Sequence, residues 1–159
     1  MKSVIQSLLV VVAGVALGAQ AGGQQRITPS EVTWPVPAAG GVGTSGVSGT
    51  QTVVLKGDPT KPGLYTLLLR VGPNTKIEAH AHPDDRVATV ISGTWYFGYG
   101  AKFDESALKM LPAGSFYTEP PNANHFAMTR GEGVTIQITG TGPSGTIYAD
   151  PANDPARRK

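Results

Sequence analysis

The sequence has no cysteine. That excludes disulfides, a thiolate metal site, a cysteine nucleophile and a lipid-anchored cysteine. Charge is scarce too: 15% of the 159 residues are Asp, Glu, Lys or Arg, and the formal net charge is +2. Three of the basic residues, Arg157, Arg158 and Lys159, stand at the very end of the chain. No basic stripe with interleaved aromatics exists, so nucleic acid is not an expected partner. Histidine occurs only at 80, 82 and 125. The serines therefore have no histidine to spare as a base, which argues against a serine hydrolase. Apolar runs are short, and none reaches the roughly 20 residues that span a bilayer.

What is present starts with the N-terminus. Lys2 precedes an apolar run from Leu8 to Leu17, followed by the small-residue stretch Gly18-Ala19-Gln20-Ala21. This is the pattern of a cleaved signal peptide over residues 1–21. The expectation is a soluble periplasmic or secreted protein that starts near Gly22 and has no membrane contact after cleavage. The length suits one domain.

Residues 22–50, rich in Gly, Pro, Ser and Ala, read as an extended arm, with a short strand over Glu31–Trp34. Beyond it, runs of Val, Ile, Leu, Thr, Tyr and Phe recur between turn-forming clusters, which predicts an all-β barrel or sandwich over residues 51–149. The expected strands are Thr52–Lys56, Leu64–Val71, Lys76–His82, Val87–Ser92, Thr94–Tyr99, Ser115–Glu119, Asn124–Thr129, Val134–Thr139 and Gly145–Tyr148. A helical turn is expected over Asp104–Met110. Residues 150–159 read as a loose tail.

His80 and His82 stand two apart in a predicted strand. Alternation puts both imidazoles on one face, about 7 Å apart along the strand. His125 opens another predicted strand. Imidazole nitrogen suits Zn, Cu, Fe and Ni, and three such ligands leave coordination positions open. On spacing alone, a metal site and a surface coincidence both stand.

The stretch from Gly72 to Gly93, containing His80, His82 and Arg86, resembles the first motif of the cupin superfamily. The stretch from Pro112 to His125, containing Gly114, Glu119 and Pro120, resembles the second. With their flanking strands these motifs cover about half the chain. The resemblance implies a single-domain jelly-roll β-barrel with a metal inside, near the mouth, and it makes Gly93 a hairpin turn. One position departs from the pattern: where the first motif usually carries a Glu ligand, this chain has Arg86. A cation cannot ligate a metal and repels it at close range. Asp84 and Asp85 are out of register for the role and read as a solvated turn after Pro83.

Alternation turns Ser115, Tyr117 and Glu119 inward. A carboxylate there needs a partner. Glu119 is open to four roles: an ion pair with Arg86, a fourth metal ligand, a general base, or an anchor for a ligating imidazole. Three histidines, no first-motif Glu, and a Glu six residues before the last His resemble the acetylacetone dioxygenase type of cupin. That type cleaves an enolisable dicarbonyl with dioxygen at a three-histidine ferrous site. The implied cofactor is a divalent transition metal, iron first, with copper, manganese or zinc behind it.

Arg86, Tyr117 and the small Ala88 are candidate substrate contacts, with Arg86 holding an anionic group. Trp95, Phe97 and Tyr99 read mainly as core aromatics. The expected partner is a small enolisable or phenolic substrate. The competing readings are a non-redox Lewis-acid isomerase or lyase on a small acid or sugar derivative, and a non-catalytic metal- or ligand-binding module. A homodimer is expected, with the arm laid along a neighbour to cover barrel edges.

Overall fold

The computed structural model describes residues 23–37 and 41–157. The predicted signal peptide lies outside the described residues. Among the described residues no helix is long and apolar enough to cross a membrane.

Among the described residues ten strands build the fold: β1 (Gln51–Lys56), β2 (Gly63–Val71), β3 (Lys76–Ala81), β4 (Arg86–Ser92), β5 (Thr94–Tyr99), β6 (Lys109–Pro112), β7 (Phe116–Glu119), β8 (His125–Met128), β9 (Val134–Gly142) and β10 (Ile147–Tyr148). They form two five-stranded antiparallel sheets, ordered β1-β2-β9-β4-β7 and β10-β3-β8-β5-β6. The two sheets enclose one apolar core, a jelly-roll arrangement.

Period-two burial carries the packing. On β2, Tyr65, Leu67, Leu69 and Val71 point into the core, and Val134, Ile136 and Ile138 of β9 meet them. These two strands pair without interruption from Gly63↔Gly142 to Val71↔Val134. Alternating apolar side chains on both strands fix that register, because a one-residue slip would turn each set to solvent. Gly93 forms the tight link between β4 and β5. Its φ is +75°, and a Cβ there would come within 2.1 Å of the Gly133 carbonyl oxygen. No side chain fits.

Several expectations need correction. Residues 31–34 are not a strand. Pro29–Glu31 is a 3-10 turn, held by the Glu31 carboxylate, which accepts from Thr28 N and Oγ1, both at 2.7 Å. Trp34 beyond it lies under the Arg70 guanidinium, 3.7 Å from the ring centroid. The expected helix over 104–110 is a single 3-10 turn, Glu105–Ala107, with Asp104 accepting from Ser106 N at 2.9 Å. It gives way to the edge strand β6, which tolerates Pro112 because an edge residue need not donate to a ladder. The C-terminal stretch is described as far as residue 157. It makes two short turns, Pro151–Asn153 and Pro155–Arg157, with Asp150 and Asp154 accepting from Ala152 N and Ala156 N, each at 2.9 Å.

The inner part of the arm folds onto its own barrel. Thr44, Ser45 and Thr50 are buried, and Val47 packs against the core. Thr146 Oγ1 donates to the Thr44 carbonyl at 2.6 Å, and the Tyr148 hydroxyl donates to the Ser45 carbonyl. Residues 43–50 therefore form a strap across one end of the barrel, next to the β10 side of the site.

Candidate metal centre

His80 lies on β3, His82 one residue past its end, and His125 opens β8. His80 and His125 are register partners. Their inward aim depends on a bulge. The β3–β8 register shifts between Ile77 and His80, since Ile77 pairs Ala127 while His80 pairs His125. A regular strand that turns Ile77 inward would turn His80 outward. The extra residue reverses the phase, which is the usual effect of a bulge beside a site.

All three imidazoles are buried, and one nitrogen from each lies within 4.8 Å of the others. Ring centroids are 4.5 to 5.2 Å apart. Each Nδ1 faces a backbone carbonyl: His80 that of Glu78 at 2.8 Å, His82 that of Gly145 at 2.5 Å, His125 that of Ala123 at 3.1 Å. A carbonyl only accepts, so each Nδ1 carries the proton and each Nε2 keeps its lone pair. The Nε2 of His82 is buried and finds no hydrogen-bond partner in the protein. An orphaned, buried lone pair is costly unless a cation uses it. The residues thus fit a divalent transition metal on three neutral nitrogen donors, each with its outer nitrogen anchored.

Burial lowers all three imidazole pKa values. His80 falls to about 3, with His125 adding to the effect, and His82 falls to about 2, with the Arg86 charge adding to it. His125 is lowered by burial as well. Burial thus favours the neutral imidazole at all three positions, the form metal binding requires.

Glu119 stands beside this group rather than within it. Oε1 is 3.8 Å from His125 Nε2 and Oε2 is 3.9 Å from His82 Nε2. Its register partner across the β4–β7 ladder is Arg86. Arg86 Nε donates to Oε2 at 2.7 Å, Nη2 donates to the same oxygen, and Nη1 donates to the Gly43 carbonyl of the strap. Burial pushes the Glu119 carboxyl up, but Arg86, helped by the imidazoles, outweighs it and holds the pKa at about 2. The ion pair therefore exists and commits one carboxylate oxygen. Oε1 still faces His125. The guanidinium is buried, and each of its three nitrogens donates within the chain, two of them to Glu119.

Ala88 and Tyr117 are register partners on β4 and β7, and both belong to the core. The Tyr117 ring lies 4.3 Å from Phe97, which in turn stacks on His125 at 5.4 Å. Trp95 and Phe97 are core residues, whereas Tyr99 is exposed and its hydroxyl donates to the Thr118 carbonyl at 2.7 Å.

The expectation for Asp84 is overturned. It is buried, and its carboxylate accepts from the Tyr65 hydroxyl and from Ser144 Oγ, each at 2.7 Å. Gly140, opposite Arg86 on β9, leaves room for this pair: a Cβ there would lie 2.7 Å from Tyr65 Oη. Asp85 is exposed. Sequence reasoning missed the Tyr65–Asp84–Ser144 group and the Gly43 contact. Gly43 lies in a glycine-rich segment, which was the one available signal.

No family model matches the sequence, and no curated protein matches it either. Solved structures do match in fold. The polyketide cyclase RemF from Streptomyces resistomycificus aligns over 84% of this chain and 90% of its own, at 15% identity and a TM-score of 0.62. A chain from crystal structures of DMSP lyases aligns over 75% of this chain at 20% identity and a TM-score of 0.51; this chain spans 55% of that one, about half its length. A sugar phosphate isomerase of the cupin superfamily from Silicibacter pomeroyi aligns over 64% of this chain and 66% of its own, at 19% identity and a TM-score of 0.51. A salicylate 1,2-dioxygenase from Pseudoaminobacter salicylatoxidans aligns over 64% of this chain and 31% of its own, at 13% identity and a TM-score of 0.51. Together with the two-sheet topology, these matches define a cupin-fold protein. Cyclase, lyase, isomerase and dioxygenase share that fold, so the fold does not choose the reaction.

Proposed function

We propose that the chain is a metal-dependent oxygenase acting on a small enolisable or phenolic substrate, with a divalent transition metal, iron first, held by His80, His82 and His125. The observation that carries the reading is the set of three buried imidazoles whose Nδ1 atoms face backbone carbonyls and whose Nε2 atoms converge. Three neutral donors leave the cation its full charge, and imidazole sets suit iron and copper. The dioxygenase among the structures of like fold is consistent with this reading. When bound, the metal supplies Lewis acidity and, as iron or copper, reactivity toward dioxygen.

The chain's own residues divide the remaining work. Glu119 is ionised throughout the physiological range, and Oε1 is the oxygen that Arg86 leaves free. The pairing with Arg86 that lowers its pKa weakens Glu119 as a base toward a carbon or phenol proton. The carboxylate serves instead as a fixed negative charge beside the imidazoles and as acceptor for a substrate hydroxyl. Phe97 and Tyr117 wall the site on one side and exclude water from it.

The test is anaerobic reconstitution with Fe²⁺, Cu²⁺, Mn²⁺ and Zn²⁺, followed by a screen of β-dicarbonyls and phenols with an oxygen electrode. Oxygen uptake stoichiometric with product, with iron or copper only, is the expected result. Equal turnover with zinc and no oxygen would replace this reading by Lewis-acid isomerase or lyase chemistry. Tight metal binding with no turnover at all would leave a binding module.

A further inference from the structure

A cleft of about 380 Å³ opens on the flank of the barrel, between the free edges of β6 and β7. That volume suits a small ligand. Phe97, Leu111 and Tyr117, all buried, form its floor, while Tyr99 and Phe116, 54% and 61% exposed, stand at its rim. Lys109 is the one charged residue lining it among the described residues. Its register partner on β5 is the inward-facing Phe97, so the lysine stem leaves β6 on the inner side, toward the cleft. Among the described residues no ion pair involves Lys109.

An inward-pointing lysine on an edge strand can simply protect that edge from pairing. That accounts for Lys109 but not for the two large rings left in solvent beside it. An exposed phenylalanine at the rim of an apolar, aromatic-floored cleft, with one unpaired cation, defines a ligand chemistry. We propose that the cleft binds a small anion with a planar apolar body, its ring among Tyr99, Phe116 and Tyr117 and its anionic group on Lys109. The site adjoins the metal centre through one side chain: Phe97 is 4.3 Å from Tyr117 on the cleft side and stacks on His125 at 5.4 Å on the other. A ligand that presses on Phe97 presses on a candidate metal ligand. The cleft is thus a second site with its own specificity, and its occupancy does not depend on which reaction the centre performs.

The experiment uses the full metal-free chain, so its outcome is separate from that of the oxygenase reading. Calorimetric titrations with 2-naphthoate, 2-naphthol and acetate separate charge from apolar shape. Naphthoate is expected to bind one to one, naphthol about fivefold more weakly, the size of one partly exposed charge contact, and acetate not measurably. Lys109→Met should erase the preference for naphthoate over naphthol, and Phe116→Ser should weaken both. Both substitutions are on the surface and leave the core intact. Naphthoate should also move the His125 ring resonances. Absence of naphthoate binding, equal affinity for naphthoate and naphthol in the parent chain, or naphthoate binding unchanged in both variants would overturn the assignment.

Discussion

Arg86 and Glu119 face each other directly across the β4–β7 ladder, and Nε and Nη2 of the guanidinium converge on one carboxylate oxygen, leaving the other turned toward His125. A charged pair thus stands directly beside the three imidazoles. The third donor of Arg86, on the Gly43 carbonyl, ties this pair to the strap. One guanidinium links the carboxylate beside the histidines to residues 43–50.

The pair should behave as a unit. Arg86→Met alone leaves a buried carboxylate, and Glu119→Leu alone leaves a buried guanidinium. Each is expected to cost about 3–5 kcal/mol, because an unpaired charge cannot be solvated there. The double substitution should cost clearly less than the sum, since it removes both charges together. Urea unfolding of the four chains measures the coupling, and strict additivity would show that the contact carries no energy.

Metal stoichiometry should depend on each histidine. His80→Ala, His82→Ala and His125→Ala are each expected to lose most of the bound metal while keeping the far-UV signature of the barrel. The core side chains Leu67, Leu69, Val134 and Ile136 stand on β2 and β9, strands that carry none of the three histidines. Elemental analysis after dialysis gives the answer, and full occupancy in any one variant removes that residue from the centre.

Much of the fold was legible because the long strands alternate cleanly. Tyr65, Leu67, Leu69 and Val71 repeat every second residue, and only one pairing with Val134, Ile136 and Ile138 buries both sets. The inward aim of Glu119 was readable from alternation combined with the motif register, and its pairing with Arg86 was one of the roles that reading left open. The bulge that turns His80 inward was not, because backbone irregularity leaves no mark in the run Lys76-Ile-Glu-Ala-His80. Nor was the burial of Asp84, whose partner Ser144 lies 60 residues on, in a loop without a pattern. Edge strand β6 was hidden because Lys109, Met110 and Leu111 suit a helix as well as a strand. Tertiary pairing with β5 decides among them.

Gly43 should resist substitution. Its φ is +78°, and a Cβ there would meet Ser144 Oγ at 2.8 Å and Arg86 Nη1 at 3.6 Å. Gly43→Ala therefore combines left-handed backbone strain with pressure on Ser144, which donates to Asp84, at an expected cost of about 1–3 kcal/mol. Gly46, with φ +71° and open space around it, is the control that isolates the backbone part. Gly46→Ala should cost less, and thermal unfolding of the two variants measures the difference.

The metal-free chain should lose stability on mild acidification, in two windows. Burial lowers His80 from its ordinary 6.5 to about 3 and His82 to about 2. Above pH 6.5 both states are neutral at these positions and the stability is fully present. As pH falls below 6.5, the unfolded chain takes up protons that the folded chain refuses until about pH 3, so stability declines through that interval. Glu119, held at about 2 against an ordinary 4.5, adds a second decline from about pH 4.5 downward, where the unfolded carboxyl protonates first. Between pH 6.5 and 4.5 the slope therefore belongs to the histidines. A chain with all three replaced by alanine should show a flatter melting temperature over that range, and retain the steeper loss below it. Identical pH profiles for the two chains from 6.5 to 4.5 would show that the imidazoles are not held neutral by burial.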